Sequence, residues 1–349
     1  MSDSSKPLPV DPGLALWNQR HNVKDALPRL EAFLKALLDC SHMVMQPEDY
    51  ATIFATVLEY KPDLVIEVGR NFGNTTCILT EAVQSLPGTT VLSICLTNHW
   101  ESTTLPAIKS LTSADWLRRL DARVMNVMDL DIAEVLKGKR RVFFLLDAHG
   151  WDVAEYMLSA VMPELVRRDH MLFIHDVIFP RHFADVYEKY FPDSPSRPSD
   201  GMEGYGRRGI WRGEETPDQL VFLNGLAGSY PEFVAFVDFV NRNKLELHAV
   251  ETSVRREIED QADRRREMLG LLGDAMYAPS SGFAWFSLRA VDDPSALKFP
   301  VINAKARASV VEELREDLSR NLIAGRPSPV TVSRIIAKAI LGRYTAQTR

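Results

Sequence analysis

Excess positive charge, paired cysteines and long apolar runs are all missing from these 349 residues. The formal net charge is −6, so the chain lacks the basic footprint of a surface that coats nucleic acid. There are only three cysteines, Cys40, Cys77 and Cys95, odd in number and widely spaced, which argues against a disulfide or zinc framework. Cys77 and Cys95 sit in apolar runs and read as small buried residues of a reducing compartment. No apolar run reaches bilayer length, and the start M-S-D-S-S-K-P-L-P-V-D-P lacks the charged-then-apolar pattern of a secretory signal. The expectation is a cytoplasmic protein without a transmembrane segment. No internal repeat is apparent.

What is present is ordinary globular material, 46% hydrophobic and 25% charged. The length suits one large α/β domain with additions, or two small domains. The chain is organised around Asp63 to Thr76, D-L-V-I-E-V-G-R-N-F-G-N-T-T. Leu64, Val65, Ile66 and Val68 make a short buried strand. Gly69 and Gly73 punctuate a turn, and Asn74, Thr75 and Thr76 offer N-cap chemistry for the helix that follows. A strand, a glycine turn and a helix N-terminus together cradle ligands. Neither the dinucleotide fingerprint nor the P-loop fits, because Asn71 replaces a required glycine and no Gly-Lys-Ser/Thr follows. The carboxylate of Glu67, two residues before the first glycine, suits a cationic ligand.

Further strands read at Val91–Leu96, Ala122–Val127, Arg141–Leu146 and Met171–Ile174, and later at Leu245–Val250 and Phe283–Leu288. Helical spacing fills Leu14–Leu38, Pro47–Tyr60, residues 74–85, Leu105–Leu120, Val153–Arg167 and 253–270. The run V-F-F-L-L holds no polar residue, which fits a central parallel strand covered on both faces. It ends in Asp147-Ala148-His149, and the next strand ends in His175-Asp176. Strand carboxyl ends carry ligands in open parallel sheets, so these four polar residues form the richest candidate cluster. Each also has a plain structural reading as a cap.

The turn E-x-G-x-x-x-G-x-T resembles motif I of class I S-adenosylmethionine (SAM)-dependent methyltransferases. The D-A-H and H-D-V strand ends resemble the group that includes cephalosporin-hydroxylase-like and sugar O-methyltransferase-like proteins. The resemblance implies an α/β, Rossmann-like, seven-stranded, mostly parallel sheet with one reversed edge strand. It implies that SAM contacts Glu67, Gly69, Asn71, Gly73, Thr75, Asn98, Asp129 and Asp147, and that Mg²⁺ or Mn²⁺ is held by Asp147, His175 and Asp176. His149 takes the general-base position beside Asp147. The family's acid after the second strand is absent, since Cys95-Leu96-Thr97-Asn98 stands there, with Asn98 as a neutral substitute.

The organisation that follows is an N-terminal helical cap over 1–60, the SAM-binding domain over 61–290, and a helical tail over 291–349. Residues 177–218, rich in proline and glycine, form a candidate lid or substrate loop carrying Tyr205, Trp211 and several arginines. The tail suggests helices over 306–323 and 329–343, packing on their own domain, on a twin subunit or on a membrane surface. The functional expectation is an O-methyltransferase (EC 2.1.1.-) for a saccharide or small natural-product-like hydroxyl. Two other readings stay open. One is a non-catalytic SAM-binding or scaffold protein of the same fold, and the other is a metal-dependent nucleotide-sugar enzyme.

Overall fold

The computed structural model describes residues 10–38, 47–148, 151–175, 247–273, 283–290 and 293–299, with the short piece 210–211 and single positions 239, 243 and 245. Cys40, His149, Asp176, most of the 177–218 loop and the two tail helices lie outside the described residues. The strands are β1 (Leu64–Val68), β2 (Thr90–Cys95), β3 (Leu120–Val124), β4 (Arg141–Leu146), β5 (Asp169–Ile174), β6 (Ile210–Trp211), β7 (Leu247–Ala249) and β8 (Ala284–Phe286). They form one sheet in the order β3-β2-β1-β4-β5-β8-β7-β6.

Strands β1 to β5 pair in parallel. Strand β8 runs antiparallel to both β5 and β7. The expected seven strands are therefore joined by one two-residue strand, β6, at the margin of the sheet. The resemblance implied one reversed edge strand; two strands are reversed, β8 inside the sheet, so that β7 again points the same way as β5, and the short β6 at the edge.

Both faces of the central strands are apolar, and the period of two sorts them. Leu64, Ile66, Val68, Val142, Phe144, Leu146, Leu172 and Ile174 enter one core, with the helical segment 151–165. Val65, Phe143, Leu145, Met171 and Phe173 enter the other. That second face is covered by α1 (Pro12–Asn18), α2 (Arg20–Leu38), α3 (Pro47–Tyr60), α4 (Asn74–Val83) and the helical stretch 250–272. This is the arrangement that buried parallel strands require.

Several elements differ from the sequence reading. The first helical stretch is two helices, and Asp11 caps α1 by accepting from the Leu14 N–H at 3.0 Å. The stretch 105–120 breaks into short turns, and β3 begins at Leu120 as a half-exposed strand. The charged run 253–270 is tied by ion pairs to the first two helices. Arg20 pairs with Glu267 at 2.6 Å and Arg256 with Asp11 at 2.5 Å. A Cβ on Gly13 would meet the Ser253 carbonyl oxygen at 2.1 Å, so α1 lies directly on this stretch. Cys77 is buried as expected, whereas Cys95 is only partly covered.

Candidate active site

The carboxyl ends of β1, β4 and β5 place three chain segments in a row. Val68 is in register with Leu146, and Leu146 with Ile174. The next residues, Gly69, Asp147 and His175, are therefore neighbours across the end of the sheet. The Asp147 N–H donates to the Val68 carbonyl at 2.8 Å, and the His175 N–H to the Leu146 carbonyl at 2.8 Å. Strand order reverses between β1 and β4, the switch point where open α/β sheets leave a crevice.

Two side chains meet there. His175 Nδ1 lies 2.9 Å from Asp147 Oδ1, with each side chain about three-quarters buried, at 24% and 25% exposure. An ionised carboxylate can only accept, so Nδ1 carries the proton and a neutral ring keeps its lone pair on Nε2. The Phe283 ring packs 4.3 Å from the imidazole and fixes its plane. The sequence reading gave His175 a metal role; the Asp147 contact orients its imidazole through Nδ1.

The glycine turn is tied to the protein on all sides. Gly69 has φ +104°, and a Cβ there would meet the Asp147 carbonyl oxygen at 1.9 Å. Gly73 has φ +85° and lies under the Trp100 ring, 2.4 Å from where a Cβ would stand. Gly73 is also the N-cap of α4, with no side-chain cap, so the expected capping by the residues after it does not occur. Thr76 instead donates its hydroxyl to Glu67 at 2.5 Å. Thr75 is buried in the first turn of α4. Asn71 stands at φ +48°. Its N–H donates to Cys95 Sγ at 3.3 Å, and its side-chain oxygen accepts from His99 Nδ1 at 3.2 Å.

Glu67 was expected to face a cationic ligand. It is 1% exposed, and its Oε2 accepts from both Thr76 and the Ser93 hydroxyl. Burial pushes its pKa up to about 7 against the opposing pull of those two hydroxyls. Glu67 therefore clamps β1, β2 and α4 beneath the turn. Asn98 and Asp129 are exposed on the loops after β2 and β3. Asn98 gives its carbonyl to Ser102, and Asp129 closes the turn Val127–Asp129.

Arg70, the second residue of the turn, was missed by sequence reasoning. Its side chain is fully buried. Nη1 donates to the Ser93 carbonyl at 2.7 Å, and Nη2 to the Arg123 carbonyl at 3.3 Å. Glu101 Oε1 lies 3.7 Å from Nη2. An arginine inside a glycine turn is the one signal the sequence held, and spacing alone does not reveal which carbonyls it meets.

The donors described do not by themselves form a cradle for a divalent cation. Oδ1 of Asp147 is engaged by His175, and no three acidic, imidazole or thiol groups converge among the described residues. Asp176 and His149, the other proposed participants, lie outside those residues.

The sheet order defines an open, doubly wound α/β protein. No family model matches the chain, and no curated protein matches it. Among solved structures it is similar to an O-methyltransferase from Bacillus cereus in complex with SAH. The identity is 15%, with 53% of this chain and 81% of that one covered, at a TM-score of 0.34. It is similar also to the O-methyltransferase TomG from Streptomyces achromogenes in complex with SAM, at 13% identity, 81% and 92% coverage and a TM-score of 0.35. A third is CmcI with Mg and SAM, at 15%, 43% and 58%, with a TM-score of 0.28.

Proposed function

We propose that the chain is a SAM-dependent O-methyltransferase acting on a hydroxyl of a saccharide or small natural-product-like acceptor. The observation that carries this reading is the Asp147–His175 pair, set beside the glycine turn at the switch point. When bound, SAM supplies an electrophilic methyl group on a sulfonium. The chain's own residues must position an acceptor hydroxyl in line with it and remove the hydroxyl proton. Asp147 holds the His175 ring with Nδ1 protonated, and Nε2 takes the proton. His149 is a second candidate for the base, carried by its place after β4 in the sequence. The acceptor, the cytoplasmic location and a homodimer remain expectations of this reading.

Replacing His175 with Asn is expected to lower kcat by about 10²- to 10⁴-fold while S-adenosylhomocysteine still binds. Calorimetry and a methyl-transfer assay on the same preparation check this, and an unchanged kcat removes His175 from the mechanism. With His175 as the base, turnover is expected to survive exhaustive chelation, and its loss, restored by Mn²⁺, would support a metal held among Asp147, His175 and Asp176. One observation favours the scaffold reading: protein packing alone accounts for both glycines of the turn. Absence of any S-adenosylhomocysteine binding at millimolar concentration would select it.

A further inference from the structure

The connections that enter β1, β2 and β4 meet at the amino end of the sheet, opposite the crevice. They are residues 61–63, 86–89 and 138–140. Between them lies a cavity of about 430 Å³, within the range of roughly 300–1,000 Å³ that holds small molecules. The buried Thr89 donates its hydroxyl to the Pro62 carbonyl at 2.7 Å. Asp63 Oδ2 accepts the N–H groups of Arg140 and Arg141 at 2.8 and 3.0 Å. The Asp63 N–H in turn donates to the Arg141 carbonyl at 2.8 Å. Hydrogen bonds thus tie the connection before β1 to each of the other two.

The lining is basic, in a chain whose net charge is −6. Lys61, Lys139 and Arg140 share it with a single carboxylate, Asp63. Among the described residues, no carboxylate lies within ion-pair distance of these three cations. Their neighbours are engaged elsewhere. Lys137 pairs with Glu134 at 3.2 Å, and the Arg141 guanidinium lies 4.6 Å from the Tyr60 ring centre. Lys61 stands at φ +52°, a left-handed conformation that glycine adopts freely and lysine does not. Gly88 and Gly138 have nothing within 4 Å of where a Cβ would stand, which leaves that space free. Cations gathered round one cavity repel one another unless an anion joins them. An ammonium meets a phosphate as a point charge, and a guanidinium can meet two of its oxygens at once.

We propose that this cavity is a second binding site, for a small molecule whose phosphate group is held by Lys61, Lys139 and Arg140. It does not rest on the cofactor reading. The five residues of β1 put it roughly 16 Å from the crevice.

Calorimetry at constant ionic strength, with ribose 5-phosphate and inorganic phosphate as probes, tests the proposal. Lys139→Gln and Arg140→Gln are each expected to weaken binding of ribose 5-phosphate by about tenfold or more, the worth of a charge-assisted hydrogen bond. Lys137→Gln, which removes a cation already paired with Glu134, is expected to bind as wild type does. His175→Asn, at the other end of the sheet, is also expected to bind normally, so loss of the crevice chemistry would leave this site standing. Inorganic phosphate binding as tightly as the ester would make the free ion the ligand, and weaker binding would make it the ester. Equal losses in Lys137→Gln and Lys139→Gln would reduce the effect to diffuse surface charge and overturn the site. So would a wild-type protein that binds neither probe at millimolar concentration.

Discussion

Glu67 and His170 are buried acid and base whose burial acts on stability with opposite sign. His170 is neutral between β5 and the turn after β8. Its Nδ1 faces the Arg168 carbonyl at 2.9 Å, and Nε2 accepts the Leu288 N–H at 2.8 Å. Burial pulls its pKa down from 6.5 to about 4. The unfolded chain therefore binds a proton there first, and stability is lost as pH falls from 6.5 toward 4. For Glu67 the folded pKa is raised from 4.5 to about 7. Its stabilising protonated form is complete below 4.5, and stability is lost as pH rises toward 7. Each window is worth about 3 kcal/mol, so where they overlap the two slopes oppose one another. Glu67→Gln is expected to unmask the histidine, losing about 1.4 kcal/mol per pH unit on acidification through the overlap. His170→Gln is expected to slope the other way. Urea unfolding of both variants across this range checks the pair, and parallel curves would contradict it. The sequence marked Glu67 as functional from its distance to a glycine. It could not disclose that Ser93 and Thr76 converge on the carboxylate, because that follows from strand register and helix placement.

At the scale of elements, the central strands were legible because both of their faces are apolar. The runs at β4 and β5 carry uninterrupted Val, Leu, Ile, Met and Phe, that at β1 is broken only by Glu67, and their ends fall within two residues of the expected ones. Strand β3 was displaced because, as a half-exposed edge strand carrying Asp121 and Arg123, it has no such run. The interior place of β8 was not legible, since three residues give no direction. The row of Asp147 and His175 could be anticipated from where the apolar runs stop, whereas Arg70 and Glu101 come together only through folding. The glycine turn offers a test of the same logic. Gly69→Ala combines a left-handed φ with a clash against the β4 end and is expected to cost about 3 kcal/mol or more. Gly88→Ala, at φ +81° with nothing within 4 Å of a new Cβ, is expected to cost only about 1–2 kcal/mol. Denaturant midpoints of the two variants measure the difference, and equal losses would mean the clash at Gly69 is relieved by movement of the Asp147 segment.

For the whole molecule, the helices before β1 are part of the core and not an appendage. Leu16, Val23 and Leu30 share one cluster with Val65, Val91 and Phe143 of the sheet and with Val254, Ile258 and Met268 near the far end of the described chain. Phe33 and Leu37 of α2 are also buried, beside Cys77 of α4 and Trp116. At about 1.5–3 kcal/mol for each buried large side chain, these five helix residues contribute roughly 10 kcal/mol. That is the order of a domain's entire stability. The ion pairs of Arg20 and Arg256 with Glu267 and Asp11 are partly exposed and add little beside it. A chain beginning at residue 39 is therefore expected to lose the cooperative unfolding transition of the full chain and to expose the α3 and α4 face. Circular dichroism during urea unfolding, with soluble yield measured alongside, distinguishes the cases. A soluble truncated protein with one sharp transition would make the N-terminal helices a separable cap, as the division at residue 60 supposed. The opposite result would tie the site to residues far upstream, because α4, whose N-terminus backs the glycine turn, packs against α2 and α3.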